Sequence, residues 1–229
     1  MYANCFKRVI DFLLSLIALL LLSPILLILT IVGAFAMKGN PFFTQLRPGK
    51  NERIFKLVKF RTMTCEKDAD GNLLPDDKRL TGYGKFLRST SLDELPELWN
   101  ILKGDMAIVG PRPQLVRDMV FMNEMQRKRH TVRQGLTGLA QVSGRNGISW
   151  ESKLNYDLQY VSRITFWGDI KIILMTVRSV FKREGITEEG CDTAEDFGDY
   201  LLRSNCVNVA EYNQKQQEAK ELLELAFKR

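Results

Sequence analysis

FLLSLIALLLLSPILLILTIVGAFAM, residues 12–37, is the stretch whose reading decides the fold. It holds no charged residue over 26 positions, and 17 of them are Leu, Ile, Val or Phe. As a helix it would reach ~39 Å, more than the ~30 Å hydrocarbon core of a bilayer needs. At roughly −0.4 kcal/mol per large apolar side chain, insertion gains on the order of 7 kcal/mol. The segment therefore reads as a membrane element, not a soluble core helix. Ser23-Pro24 falls near its middle. A proline there removes one helical hydrogen bond and crowds the preceding turn, at ~3 kcal/mol, which the insertion gain exceeds. Residues 12–22 alone would reach ~16 Å and residues 24–37 ~21 Å, so neither half spans a bilayer. Lys7 and Arg8 precede the segment, and Lys38, Arg47 and Lys50 follow it. Positive flanks stay cytoplasmic, so both ends are drawn to one face. A re-entrant helix broken at Ser23-Pro24 satisfies both ends and is preferred to a kinked spanning helix. Ala34-Phe35-Ala36 has the form of a signal-peptide cleavage site, but the apolar run is longer than the usual ~7–15 residues.

The rest of the chain is basic, with a net charge of +6 over 229 residues. Such a balance points to phosphates: nucleic acid, a nucleotide, or an anionic membrane surface. Cys5, Cys65, Cys191 and Cys206 form no C-x-x-C pair, which speaks against a zinc site or a disulfide framework. The one histidine, His130, follows the run Arg127-Lys128-Arg129 and reads as a surface residue. A His-centred triad or two-His metal site is therefore not expected. Chemistry falls to carboxylates, lysines, arginines and hydroxyls.

Moving outward, residues 38–61 carry seven Lys/Arg and one acid, Glu52. Residues 54–61, IFKLVKFR, read as a strand whose period of two puts Lys59 and Arg61 on one face. It reads as a basic stripe against anionic lipid, as a phosphate-binding floor, or as both. Residues 64–80 read as a solvated loop, since the calcium-like DADGN run lacks the closing Glu. A short helix over 83–88 carries Lys85 and Arg88 toward the stretch SLDELP, residues 91–96.

Ser91 followed by Glu94 fits a capping box, and acids suit a first helical turn. A helix is expected from Asp93 or Glu94, with Pro96 in its first turn and Gly104 past its end. A carboxylate at such an N-terminus is favoured as the anion, and the free N–H groups suit a phosphate. An ionised carboxylate beside a phosphate can act as a nucleophile. Phosphate and carboxylate repel, so the site needs cations: Lys59, Arg88 and Arg112, with Mg²⁺ for the remainder. Adjacent helical positions diverge by about 100°, so one acid as nucleophile and the other as metal ligand is the natural division.

Residues 114–130 read as helical, and 131–149 as a loop dotted with Gly135, Gly138, Gly144 and Gly147, where backbone can approach a ligand closely. Helices follow over 150–162 and 166–183. The second bears an apolar stripe of Ile170, Leu174, Val177 and Phe181, equally readable as an interfacial face or as core packing. Residues 184–199 hold seven acids and no Lys or Arg, and a helix is expected over 209–227. This tail shows no chemistry. It could cover part of the domain or contact a second copy of the chain in a homo-oligomer.

Several motifs recur in one order: Ser23-Pro24, residues 41–49 (PFFTQLRPG), residues 59–63 (KFRTM), residues 91–96 with Asn100, residues 104–106 (GDM), residues 109–113 (VGPRP), Gly138, residues 140–142 (AQV) and Gly144-Arg145. Through them residues 1–190 resemble the bacterial sugar transferases, specifically the small monotopic polyprenyl-phosphate phosphoglycosyl transferases. The resemblance implies an α/β fold, mostly helical with a small β element. It comprises a re-entrant helix over 1–38, amphipathic interfacial helices, a compact catalytic domain over 39–189, and an extension over 190–229. It implies an enzyme at the cytoplasmic face of the bacterial inner membrane that moves a sugar-1-phosphate from a UDP-sugar to a polyprenyl phosphate, with Mg²⁺. By that resemblance Asp93 attacks the β-phosphorus, UMP leaves and Glu94 holds the metal. Lys59, Arg88 and Arg145 bind phosphates, Arg112 between Pro111 and Pro113 contacts the nucleotide, and Gln141 lies near the site. Gln134, Leu139 and Ser143 stand where the family pattern has Pro, an aromatic and Asn. The competing class is a membrane-anchored scaffold with a basic face for lipid or nucleic acid. It explains the charge but not Asp93-Glu94 among arginines, and the interleaved aromatics of a nucleic-acid platform are missing, so no nucleic acid is expected as a partner.

Overall fold

The computed structural model describes residues 2–144, 148–182 and 195–228. Most of the acidic segment and the Phe181 side chain lie outside them. After a short π-helical turn comes α1, Lys7–Ala36, followed by a hairpin of β1, Phe42–Pro48, and β2, Ile54–Phe60. Short helices α2, Asp76–Arg79, and α3, Gly82–Thr90, lead to a 3₁₀ turn, Leu92–Glu94, and then α4, Glu97–Lys103. Next come β3, Met106–Val109, α5, Val116–Met119, α6, Glu124–Arg127, and β4, Gln134–Thr137, which pairs parallel with β3. Helices α7, Leu139–Gly144, α8, Trp150–Ser162, α9, Phe166–Lys182, α10, Phe197–Arg203, and α11, Val209–Phe227, complete the chain. The fold is mostly helical with two small sheets, as the sequence indicates.

α1 differs from the expected broken helix: it runs on through Pro24. The proline leaves the Leu20 carbonyl without its usual amide donor. Ser23 Oγ donates to that carbonyl at 2.7 Å, so the Ser-Pro pair repairs the gap locally. Only 11% of the most apolar window of α1 is buried, which separates it from a soluble core helix. Both of its halves nonetheless touch the same body of the protein. Ala18, Leu19 and Leu22 pack with Leu98, Ile101 and Met106, while Leu26 and Leu29 pack with Phe60 and Leu87. At its start, Lys7 meets Asp169 at 2.6 Å, and near its end the Tyr83 hydroxyl donates to the Leu29 carbonyl.

The stripe on α9 also resolves. Leu174 and Val177 are exposed, as is Trp167, while Ile172 and Asp169 turn inward. The stripe is thus not core packing. The 114–130 segment is not one helix. Asn123 starts α6 afresh through a reciprocal cap with Gln126, and α5 ends at Met119. His130 is buried, not on the surface. Gly135 and Gly138 pack directly against the Gly110 backbone, where any Cβ would collide. These glycines permit the close approach of the β3 and β4 ends.

Candidate active site

α4 is stitched to β2 by a fully buried Asn100. Its amide donates to the Lys56 carbonyl at 2.8 Å, and its carbonyl accepts the Val58 N–H at 3.1 Å. Phe55, Leu57 and Lys59 share the inner face of β2, so the stitch aims Lys59 at the start of α4. The turn before α4 is built differently from the expected capped helix. Ser91 lies in the left-handed region, φ 56°, and closes the end of α3, while its side chain caps nothing. Leu92 and Leu95 pack beside Phe60 and Leu87 and hold a 3₁₀ turn, and Pro96 opens α4. Asp93 and Glu94 therefore precede the helix instead of starting it.

Glu94 is the hub. Its Oε1 accepts from Lys59 Nζ at 2.7 Å and from Arg112 NH2 at 2.8 Å. Lys59 Nζ also reaches Glu97 Oε1 at 3.0 Å. Burial by itself would raise the Glu94 carboxyl, but Arg112 and Lys59 outweigh it and hold the group far below the usual range. Arg112 is raised in turn, first by Glu94. Glu97, almost fully buried, is pushed up to about 7 by burial against the pull of Lys59. Asp93 is raised by burial and then by the charge of Glu94, with Lys59, Arg112 and Arg88 opposing. A raised carboxyl, once ionised, is the more basic and stronger nucleophile.

The turn carrying Arg112 is fixed at three consecutive carbonyls. Gly135 N–H donates to Pro111 O at 2.8 Å, Arg129 NH2 donates to Arg112 O, and Arg47 NH1 donates to Pro113 O at 3.4 Å. Arg129 is fully buried and paired with Asp157 at 2.8 Å. Pro111 and Pro113 are buried, while the Arg112 side chain stays 44% exposed, so a rigid base presents a reachable cation.

Of the residues the sequence singles out, Lys59, Glu94 and Arg112 meet directly, and Asp93 and Arg88 share their field. Arg88 also donates from Nε to Thr62 Oγ1 at 3.2 Å. Gln141 stands one layer behind: it donates to the Leu136 carbonyl, and its buried Oε1 has no hydrogen-bond partner among the described residues. Arg145 lies outside the described residues. Glu97, Arg129, Asp157 and Arg47 escaped the sequence reading. Glu97 follows Glu94 by three residues and could have been found as a third acid of the same turn. Nothing in a basic run marks Arg129 as buried.

Glu94 Oε2 takes no hydrogen bond among the described residues, and with Asp93 it offers the oxygen donors that Mg²⁺ suits. No group of three His, Cys, Asp or Glu placed to hold a metal occurs among the described residues. Two carboxylates fit an ion that completes its shell with water and substrate phosphate.

Comparison with known proteins gives the site a context. The profile of the family described as bacterial sugar transferase matches residues 2–183. An uncharacterized sugar transferase, EpsL, of Bacillus subtilis is 47% identical over 192 residues, covering 83% of this chain and 95% of that protein. The Klebsiella pneumoniae UDP-glucose:undecaprenyl-phosphate glucose-1-phosphate transferase is 41% identical over 186 residues, covering 75% of this chain. The Salmonella typhimurium undecaprenyl-phosphate galactose phosphotransferase is 35% identical over 209 residues, covering 78% of this chain. The match covers 39% of the length of the Klebsiella protein and 41% of the Salmonella protein.

Proposed function

The chain belongs to the bacterial sugar transferase family, and from that premise we propose that it transfers a sugar-1-phosphate from a UDP-sugar to a polyprenyl phosphate, undecaprenyl phosphate by the names of its relatives. The observation that carries this reading is the cluster of Lys59, Glu94 and Arg112, which acts electrostatically on the neighbouring Asp93, in a chain whose α1 is long and apolar enough to cross a membrane. An ionised Asp93 oxygen attacks the β-phosphorus of the donor. The bond from that phosphorus to the bridging oxygen breaks, and UMP leaves with the electron pair. A phosphosugar–aspartate remains. A phosphate oxygen of the lipid then attacks the same phosphorus, the acyl-phosphate bond breaks, and Asp93 is restored as a carboxylate.

The chain's own groups divide the work. Lys59 and Arg88 stabilise the negative charge of the diphosphate, and Arg112 contacts the nucleotide from its fixed turn. Glu94 would hold Mg²⁺, which would supply further charge neutralisation on the diphosphate. Although α1 runs on through Pro24 and is long enough to span, three features support a monotopic placement with both of its ends at the cytoplasmic face of the inner membrane. Both flanks of α1 are basic, both of its halves pack on one body, and α9 exposes Trp167, Leu174 and Val177. Residues 1–38 would then be the membrane segment and 39–189 the catalytic domain.

The nucleotide product tests the reaction. With UDP-sugar, Mg²⁺ and undecaprenyl phosphate in detergent, UMP and a diphosphate-linked lipid sugar are expected in equal amounts. Release of UDP would replace this reading with ordinary glycosyl transfer.

A further inference from the structure

The residues past 183 lie outside the family-matched part of the chain, yet residues 195–228 are fastened to the segment that leaves the Arg112 turn. The fastening starts at one buried carboxylate. Asp118 Oδ2 accepts the Leu115 N–H at 3.0 Å, and its Oδ1 accepts the Phe197 N–H at 2.9 Å. One side chain thus joins the exit of the turn to the start of α10. Beside it, Arg117 is gripped by Asp196 at 3.0 Å and by Asp199 at 3.3 Å. Along α5, Val116, Met119 and Val120 are covered by Ala219, Leu222 and Leu223 of α11. Arg47, which holds the Pro113 carbonyl, lies in the combined field of Arg112, Asp118, Glu97 and Asp196.

We propose that the C-terminal extension is a brace that, by holding α5, fixes the Pro111-Arg112-Pro113 turn and so sets affinity for the nucleotide-sugar donor, with little influence on the chemical step. The proposal rests on the reading of Arg112 as a donor contact. A turn held at its base presents Arg112 already in place, and a ligand meeting it loses less affinity to ordering. An extension that merely covered apolar surface would change stability and leave the donor KM where it was.

The test uses the full chain with charge reversal at the clasp. Arg117→Glu turns two ion pairs into repulsions. It is expected to raise the donor KM about fivefold with kcat within about twofold, the pattern of lost binding that is uniform between ground and transition states. Amide exchange over residues 110–116 should quicken in the same variant with no substrate present. Adding Asp196→Arg and Asp199→Arg restores the pairing in reverse and should return both readings toward wild type. Should Arg117→Glu fail to fold, Asp199→Asn gives the same direction at smaller size. Faster exchange in α11 with unchanged exchange at 110–116, or an unchanged donor KM, would overturn the brace. If the wild-type protein releases no UMP, the proposed reaction fails, while the exchange measurement still decides whether the extension holds the turn.

Discussion

At the scale of single residues, the site is a chain of alternating charge: Glu97, Lys59, Glu94, Arg112. Glu94 is the member whose removal should be felt through the metal. Glu94→Gln keeps the shape but loses the anion, and the Mg²⁺ concentration needed for half-maximal activity is expected to rise about tenfold or more. An unchanged Mg²⁺ dependence would remove Glu94 as a ligand. Arg129 allows a sharper separation of roles. Arg129→Met leaves Asp157 buried and unpaired and should cost about 3–5 kcal/mol, read by thermal unfolding. Arg129→Met with Asp157→Leu should regain much of that stability, but the Arg112 carbonyl still lacks its donor and the donor KM should stay raised. His130 offers a clean spectroscopic check, because the chain has one histidine. Burial first, then Arg129 and Arg127, push its pKa down to about 3. Its Nε2 accepts from Arg129 and its Nδ1 lies 3.4 Å from Glu52 Oε1, and the arginines outweigh that carboxylate in favouring a neutral ring. The stability this provides is present above the unfolded pKa of ~6.5 and is lost as pH falls toward the folded value. The lone imidazole signal in NMR is expected not to titrate between pH 8 and 5, and a midpoint near 6.5 would refute the buried, neutral ring. Asp93, Glu94, Lys59 and Arg112 were legible because rare residue types cluster in ordered motifs. His130 and Arg129 were not, since a run of basic residues reads as solvated and burial depends on partners such as Asp157 from distant sequence.

At the scale of elements, period and length carried far. α8 and α11 have the bounds that the sequence reading gives, and α9 starts where expected and runs to the last described residue, Lys182. The start of α4 differs from the sequence reading because Ser91-Leu92-Asp93-Glu94 matches a capping box, while the partly buried Leu92 and Leu95 pack beside Phe60 and Leu87 from a 3₁₀ turn. The Ser23-Pro24 pair was read as a break, but local pattern does not reveal that Ser23 repairs the Leu20 carbonyl. Ser23→Ala should therefore matter more than an exposed hydroxyl normally does. An orphaned carbonyl in hydrocarbon costs on the order of 1–3 kcal/mol, and a lower melting temperature in lipid nanodiscs is expected. No change there would mean that the carbonyl finds another donor.

At the scale of the whole molecule, the proposed re-entrant placement puts every functional group on one side of a membrane. Cys5 and Cys65 are both exposed and lie on opposite sides of α1 in sequence. An impermeant maleimide should label both from the cytoplasmic face alone, whereas a spanning helix would place them on opposite faces. The extension is the least legible part, because its sequence shows no chemistry and only the structure brings Asp196 and Asp199 to Arg117 and the Phe197 N–H to Asp118. Everything converges on Asp93 as the group that becomes bonded to phosphorus, and one measurement tests that most directly. The purified protein is incubated with a UDP-sugar and Mg²⁺ in the absence of lipid acceptor, and its intact mass and the peptide bearing any adduct are determined. A gain of one sugar phosphate on the peptide holding Asp93, with one equivalent of UMP released and neither seen in Asp93→Asn, is the expected result. An adduct that survives Asp93→Asn, or UMP release that occurs only with lipid acceptor and with no adduct at any time, would contradict the covalent account.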